Sequence, residues 1–102
     1  MNEKIIDAYE KKILFLTHAL NRMNSPNRMI SKDEIHDVIK KGEIIEDYPD
    51  DPRGHSYLVS GETRARRIIH IVCSPKDEYL AVVTAYIPDP DKWESDLKTR
   101  IK

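Results

Sequence analysis

Residues 67–87, RIIHIVCSPKDEYLAVVTAYI, restrict the fold more than any other stretch of this chain. Two runs of β-branched and aliphatic residues flank a polar Ser74-Pro75-Lys76-Asp77 turn. Such runs suit strands buried on both faces, and so short a connection makes the two strands antiparallel neighbours. The rest of the chain must therefore supply a cover for this hairpin. It is strongly polar: 34% of the 102 residues are charged and 39% are hydrophobic. That balance fits one domain with a single thin core.

The helical cover is readable before the hairpin. In residues 2–12, Ile5, Ile6 and Tyr9 lie at helical spacing, with Ile13 continuing the series and Asn2 as a candidate cap. Residues 13–16, ILFL, fit either a continuation of that helix or a short strand, with a break near residue 16 favoured. A second helix is expected over 17–23, and Asn, Ser and Pro mark a loop over 24–29. Ser31 and Glu34 form an S-x-x-E capping box for a third helix over 32–41. Ile30 and Ile35 have the spacing of a hydrophobic staple, and Gly42 is placed to end the helix in a left-handed turn.

Strands are expected at 43–48, 55–60, 67–73 and 79–87. After Pro90, the four-residue spacing of Trp93, Leu97 and Ile101 predicts a short amphipathic helix. The fold class is thus α+β: N-terminal helices, a four-stranded antiparallel meander and a short C-terminal helix.

Strand alternation sorts the polar side chains of the hairpin. His70 shares a face with Ile68 and Val72, and Cys73 takes the opposite one. Thr84 and Tyr86 share a face with Leu80 and Val82. An H-x-x-C metal or nucleophile pair is excluded by this alternation, and His18, His36 and His55 lack ligand spacing. No metal and no cofactor are expected.

The single cysteine forbids an intrachain disulfide, which suits a reducing cytoplasm. No apolar run nears the ~20 residues of a membrane helix, and the charged N-terminus does not resemble a signal peptide. Net charge is −1, yet acidic residues gather in 43–51 and basic ones in Arg64-Ala65-Arg66-Arg67. Each of these residues has a plain alternative. His70 fits a satisfied core histidine, the RARR run a solvated turn, Arg22 a solvated helix face, and the tyrosines ordinary packing.

Several segments occur together in a recognisable order: LTHALNRM (16–23), Arg28-Met-Ile-Ser, GEIIEDYPDDPRG (42–54), YLVSG (57–61), IIHIV (68–72) and VTAYIPDPDKWE (83–94). From about residue 12 to the end, the chain resembles a small bacterial family of unknown function. That family is similar to the RelE/ParE toxin superfamily, including BrnT-type toxins. One departure is Met29, where the family pattern has glycine.

The resemblance implies a RelE-like fold, a toxin of a toxin–antitoxin pair that cleaves messenger RNA without a metal, and a small zinc-finger antitoxin as partner. The matching motif positions are His18, Arg28, Tyr57, His70, Thr84 and Tyr86, with Arg22 on the His18 helix face. In such a site, His18 or His70 would exchange protons and Arg22 and Arg28 would hold phosphate. Tyr57 or Tyr86 would stack a base, and Arg64, Arg66 and Arg67 would follow the RNA backbone. Catalysis then falls to His18, Arg28, His70 and Tyr86, and substrate binding to Arg22, Tyr57, Arg64, Arg66, Arg67 and Thr84. A non-catalytic protein- or nucleic-acid-binding module of the same fold is the alternative.

Overall fold

The computed structural model describes residues 2–101. Three helices lie over one face of a five-stranded mixed sheet, so the architecture is α+β. The helices are α1 (Glu3–Lys11), α2 (Thr17–Met23) and α3 (Lys32–Lys41). The strands are β1 (Ile13–Phe15), β2 (Glu43–Tyr48), β3 (Ser56–Glu62), β4 (Ile68–Pro75) and β5 (Leu80–Tyr86). Their order across the sheet is β1-β5-β4-β3-β2. Among the described residues, no helix is long and apolar enough to cross a membrane.

The expected four-stranded meander is incomplete. β2 to β5 do form it, but Ile13–Phe15 adds a fifth strand that runs parallel to β5. Lys12, the C-cap of α1, is fully extended, so the chain leaves the helix directly into the strand. The Leu80 amide donates to the Lys12 carbonyl at 2.8 Å, and the Leu16 amide donates to the Val82 carbonyl at 3.1 Å. An apolar run as short as 13–16 carries no period of its own, so its partner strand decides its conformation.

Helix α3 forms as its sequence predicts. The Glu34 amide donates to Ser31 Oγ at 3.1 Å, and the Ser31 amide donates to Glu34 Oε1 at 3.2 Å. Ile35, Val38 and Ile39 are buried against the sheet. Gly42 closes the helix differently from expectation, in an extended conformation (φ −82°, ψ −177°). Its lack of a side chain serves packing instead. A Cβ there would sit 2.6 Å from the Ser60 carbonyl oxygen, where α3 passes over β3 at Gly61.

The core lies between the helices and one face of the sheet. Ile5, Ala19, Met23, Ile35 and Ile39 pack there on Tyr57, Val59, Ile69, Ile71, Cys73, Leu80, Val82 and Ala85. Strict alternation would put Leu80 and Val82 on the same face as Thr84 and Tyr86. A β-bulge reverses this: Val72 pairs with Thr84, but its neighbour Cys73 pairs with Val82, so Val83 is an extra residue. Leu80 and Val82 therefore enter the core, while Thr84 and Tyr86 stay on the opposite face beside Val72 and His70.

The C-terminal helix does not form. Residues 89–101 fold into an irregular strap of turns across this second face, with Trp93 and Arg100 joined by an isolated bridge. Asp96 explains the failure. Its carboxylate accepts from the backbone amides of Lys98 (2.8 Å) and Thr99 (3.0 Å), a local turn that competes with helical bonds. Leu97 takes φ +57°, and the spacing of Trp93, Leu97 and Ile101 does not build a stripe: Trp93 is buried and Ile101 is exposed.

Candidate functional site

A cleft of ≈ 450 Å³ opens where the strap meets the end of β5. Arg28, Tyr86 and Ile87 line its body side, and Asp89, Lys92, Trp93 and Arg100 line its strap side. Three cations therefore face one carboxylate beside two aromatic rings.

Arg28 comes from the loop after α2. Its Nη1 donates to the Ala85 carbonyl at 3.0 Å, which fixes the guanidinium at the end of β5 and leaves donors of the fork unused by that bond. The loop is shaped from below by Arg67, whose Nη2 donates to the carbonyls of Arg28 (3.2 Å) and Met29 (3.3 Å). No ion pair among the described residues involves Arg28 or Lys92. Arg100 is held by Glu46 of β2, through Nε at 2.7 Å and Nη2 at 3.0 Å, and lies 4.6 Å from the Trp93 ring centroid. The paired charges and hydrogen bonds hold Glu46 below its ordinary pKa and raise that of Arg100.

His70 lies beneath the strap and is fully buried. Its Nε2 donates to the Leu97 carbonyl at 2.7 Å, so Nδ1 is the acceptor and receives the Tyr86 hydroxyl at 3.3 Å. Trp93 meets the imidazole edge to face at 4.6 Å between centroids. Burial lowers the His70 pKa and favours the neutral ring, while the Leu97 carbonyl opposes that shift. Burial also raises the Tyr86 pKa. The plain reading of His70 as a satisfied core histidine describes its surroundings well, but its Nδ1 partner, Tyr86, lines the cleft.

The remaining candidates are scattered. His18 and Arg22 are exposed on α2, over the opposite face of the sheet from His70. Tyr57 is buried in the core, stacked on His55 at 4.5 Å, with its hydroxyl accepting from Asn2 at 3.4 Å. Thr84 is half-buried next to Val72, on the His70 face, and is not part of the cleft lining.

Two of the three arginines of the RARR run are committed to α3. Arg67 forks onto Glu34 at 2.9 and 3.1 Å, and Arg64 binds Asp37 through its backbone amide and side chain, both at 3.1 Å. Donation from Arg64 holds the Asp37 carboxyl below its ordinary value. Arg66 is exposed at the tip of the turn with φ +63°.

Cys73 lies in the core on the other side of the sheet from His70, and burial pushes its thiol pKa up to about 12. Among the described residues, no three His, Cys, Asp or Glu side chains gather as a metal site would require.

Ile87, Asp89, Lys92, Trp93 and Arg100 are the members of the cleft that the sequence did not single out as site residues. Pro88-Asp89-Pro90-Asp91 is a turn-forming string, and it ends on Lys92-Trp93. A cation beside an aromatic at the exit of a turn was the available signal.

No curated protein and no solved structure matches the chain significantly. A family profile described as "Domain of unknown function (DUF4258)" matches residues 15–87. The match is narrower than the resemblance over residues 12 to the end. It takes in Arg28 and Tyr86 but ends before Asp89, Lys92, Trp93 and Arg100. Because it spans well over half of the sequence, the chain belongs to this DUF4258 family.

Proposed function

We propose that the domain is a metal-independent endoribonuclease of the toxin type, holding an RNA phosphate in the Arg28–Lys92–Arg100 cleft. The observation that carries this reading is Tyr86, hydrogen-bonded to the buried His70, on the wall of a cleft with three cations. Guanidinium matches phosphate oxygens bidentately and stabilises the charge that grows on them as phosphorus is attacked. The motif resemblance to RelE/ParE toxins read from the sequence motivates the same reading, while the DUF4258 match itself carries no function.

The proton path runs through the pair. The RNA 2′-hydroxyl gives its proton to the Tyr86 oxygen as Tyr86 passes its own to His70 Nδ1, which burial keeps unprotonated. The 2′-oxygen then attacks phosphorus, the bond from phosphorus to the 5′-oxygen breaks, and that oxygen takes a proton from solvent, while His70 releases its Nδ1 proton back through Tyr86 to solvent. The products are a 2′,3′-cyclic phosphate and a free 5′-hydroxyl. His18 and Arg22, remote on α2, take no part in this scheme.

A second reading is a non-catalytic RNA-binding module, with the zinc-finger partner as its regulator. The enclosure of His70 by Trp93 and Leu97 favours it. One experiment separates the two. Single-stranded RNA is incubated with the protein in excess EDTA, and its ends are analysed. Cyclic-phosphate ends that disappear in Tyr86→Phe support cleavage. RNA bound by wild type and by Tyr86→Phe alike, with no new ends even on the ribosome, supports the module.

A further inference from the structure

We propose that Glu46 is a positioning residue for the anion cleft: through its fork onto Arg100 it latches the 89–101 strap, without which half of the cleft is missing. This rests on the reading of the cleft as an RNA-phosphate site.

Glu46 does not line the cleft. It projects from β2 onto the second face of the sheet, and its carboxylate also accepts from the Tyr48 hydroxyl. The strap contributes Lys92, Trp93 and Arg100 to the cleft, yet it contains neither helix nor strand. Its own order is local: the Glu94 amide donates to the Thr99 carbonyl at 2.7 Å and the Ile101 amide to the Lys92 carbonyl at 3.0 Å.

Polar links tie the strap to the sheet. His70 reaches the Leu97 carbonyl, Lys98 pairs with Glu43, and Arg100 forks onto Glu46. The Glu43–Lys98 pair is exposed on both sides, with side-chain exposures of 56% and 49%, whereas the Glu46–Arg100 pair is exposed only on its Arg100 side, at 22% and 56%. Exposed pairs contribute little, so the Glu46 fork is the stronger electrostatic tie. It also bears on Arg100 next to Trp93, the residue that packs on His70.

A ligand held between Arg28 on the body and Lys92 on the strap binds the docked state alone. Affinity then scales with the docked fraction, and ligand binding in turn stabilises docking.

The sign of one substitution tests this. Glu46→Gln removes a negative charge near a cationic cleft, which by charge alone strengthens anion binding. Loss of the latch does the opposite. If the docked fraction falls to about a third, the apparent Kd for a short single-stranded RNA oligonucleotide rises about threefold. Hydrogen exchange gives a second readout. Without RNA, the Leu97 and Ile101 amides exchange faster in Glu46→Gln than in wild type; RNA slows them in wild type.

Unchanged or tighter binding by Glu46→Gln, or unchanged exchange at those amides, overturns the latch. If wild type binds no RNA, the phosphate reading fails, and ligand-free exchange still decides whether Glu46 docks the strap. Should Glu46→Gln fail to fold, Arg100→Lys substitutes for it. That change keeps the cleft cation but loses the planar fork, so the same faster exchange and weaker binding are expected.

Discussion

The His70 imidazole donates its Nε2 proton to the carbonyl oxygen of Leu97, a residue that reaches this position with φ +57°. The bond joins the middle of the sheet to a strap that has no regular structure of its own. It also sets which nitrogen of His70 can take a proton.

A pH dependence follows. The folded pKa of His70 is depressed by burial below the unfolded value of about 6.5. As pH falls, the unfolded chain takes up the proton first. The stabilising contribution is therefore fully present above about pH 6.5 and is lost as pH drops towards the folded pKa, at no more than about 1.4 kcal/mol per pH unit. Urea unfolding at pH 7.5 and 5.5 should show this loss in wild type. His70→Gln should lack the His70 part of the slope.

Met29 occupies a left-handed conformation at φ +46° and is 68% exposed. Glycine adopts that conformation without a Cβ clash. Met29→Gly should stabilise the domain by about 0.5–1 kcal/mol, since little packing is lost and strain is relieved. A rise in the urea midpoint with an unchanged m-value is the expected observation.

Arg67 joins three elements at once: Glu34 at the start of α3, the carbonyls of the Arg28–Met29 turn, and its own β3–β4 turn. Arg67→Ala leaves the Glu34 carboxylate, with 14% side-chain exposure, without its main partner. A loss of about 1–3 kcal/mol is expected. RNA affinity should fall with it, because the turn that presents Arg28 loses its support. Arg66→Ala, at the exposed tip of the same turn, should change stability by no more than about 0.5 kcal/mol.

Lys92 and Arg66 separate the two basic regions as RNA contacts. Lys92→Ala should weaken RNA binding and lower the salt slope of log K by about 0.7, the value for one phosphate contact on a single strand. Arg66→Ala should leave that slope unchanged. Titrations at several salt concentrations read both quantities.

Features set by neighbouring residues were legible in the sequence. The capping box of α3 was readable from Ser31 and Glu34 because both bonds span three residues. The placement of His70 opposite Cys73 followed from alternation along β4 alone. What failed depended on distant partners or on a competing local bond. Arg64 and Arg67 looked free in a basic run, but their carboxylates lie 27 and 33 residues away on α3. The bulge at Val83 sent Leu80 and Val82 to the core, a register change that alternation cannot report. The tail had helical spacing, yet Asp96 captured the amides a helix would have used.

The parallel pairing of β1 with β5 also bears on how the protein is made. Residues 13–15 leave the ribosome well before their sheet partners, residues 80–82, have been synthesised. Until then the Ile13–Phe15 segment has no neighbour to bond with, and closing so large a loop is slow. The nascent domain therefore stays open along its β1 edge until β5 has been made. A chain interrupted before β5 should lose its first strand along with its last, and chaperones or proteases would meet it with Ile13 and Phe15 uncovered.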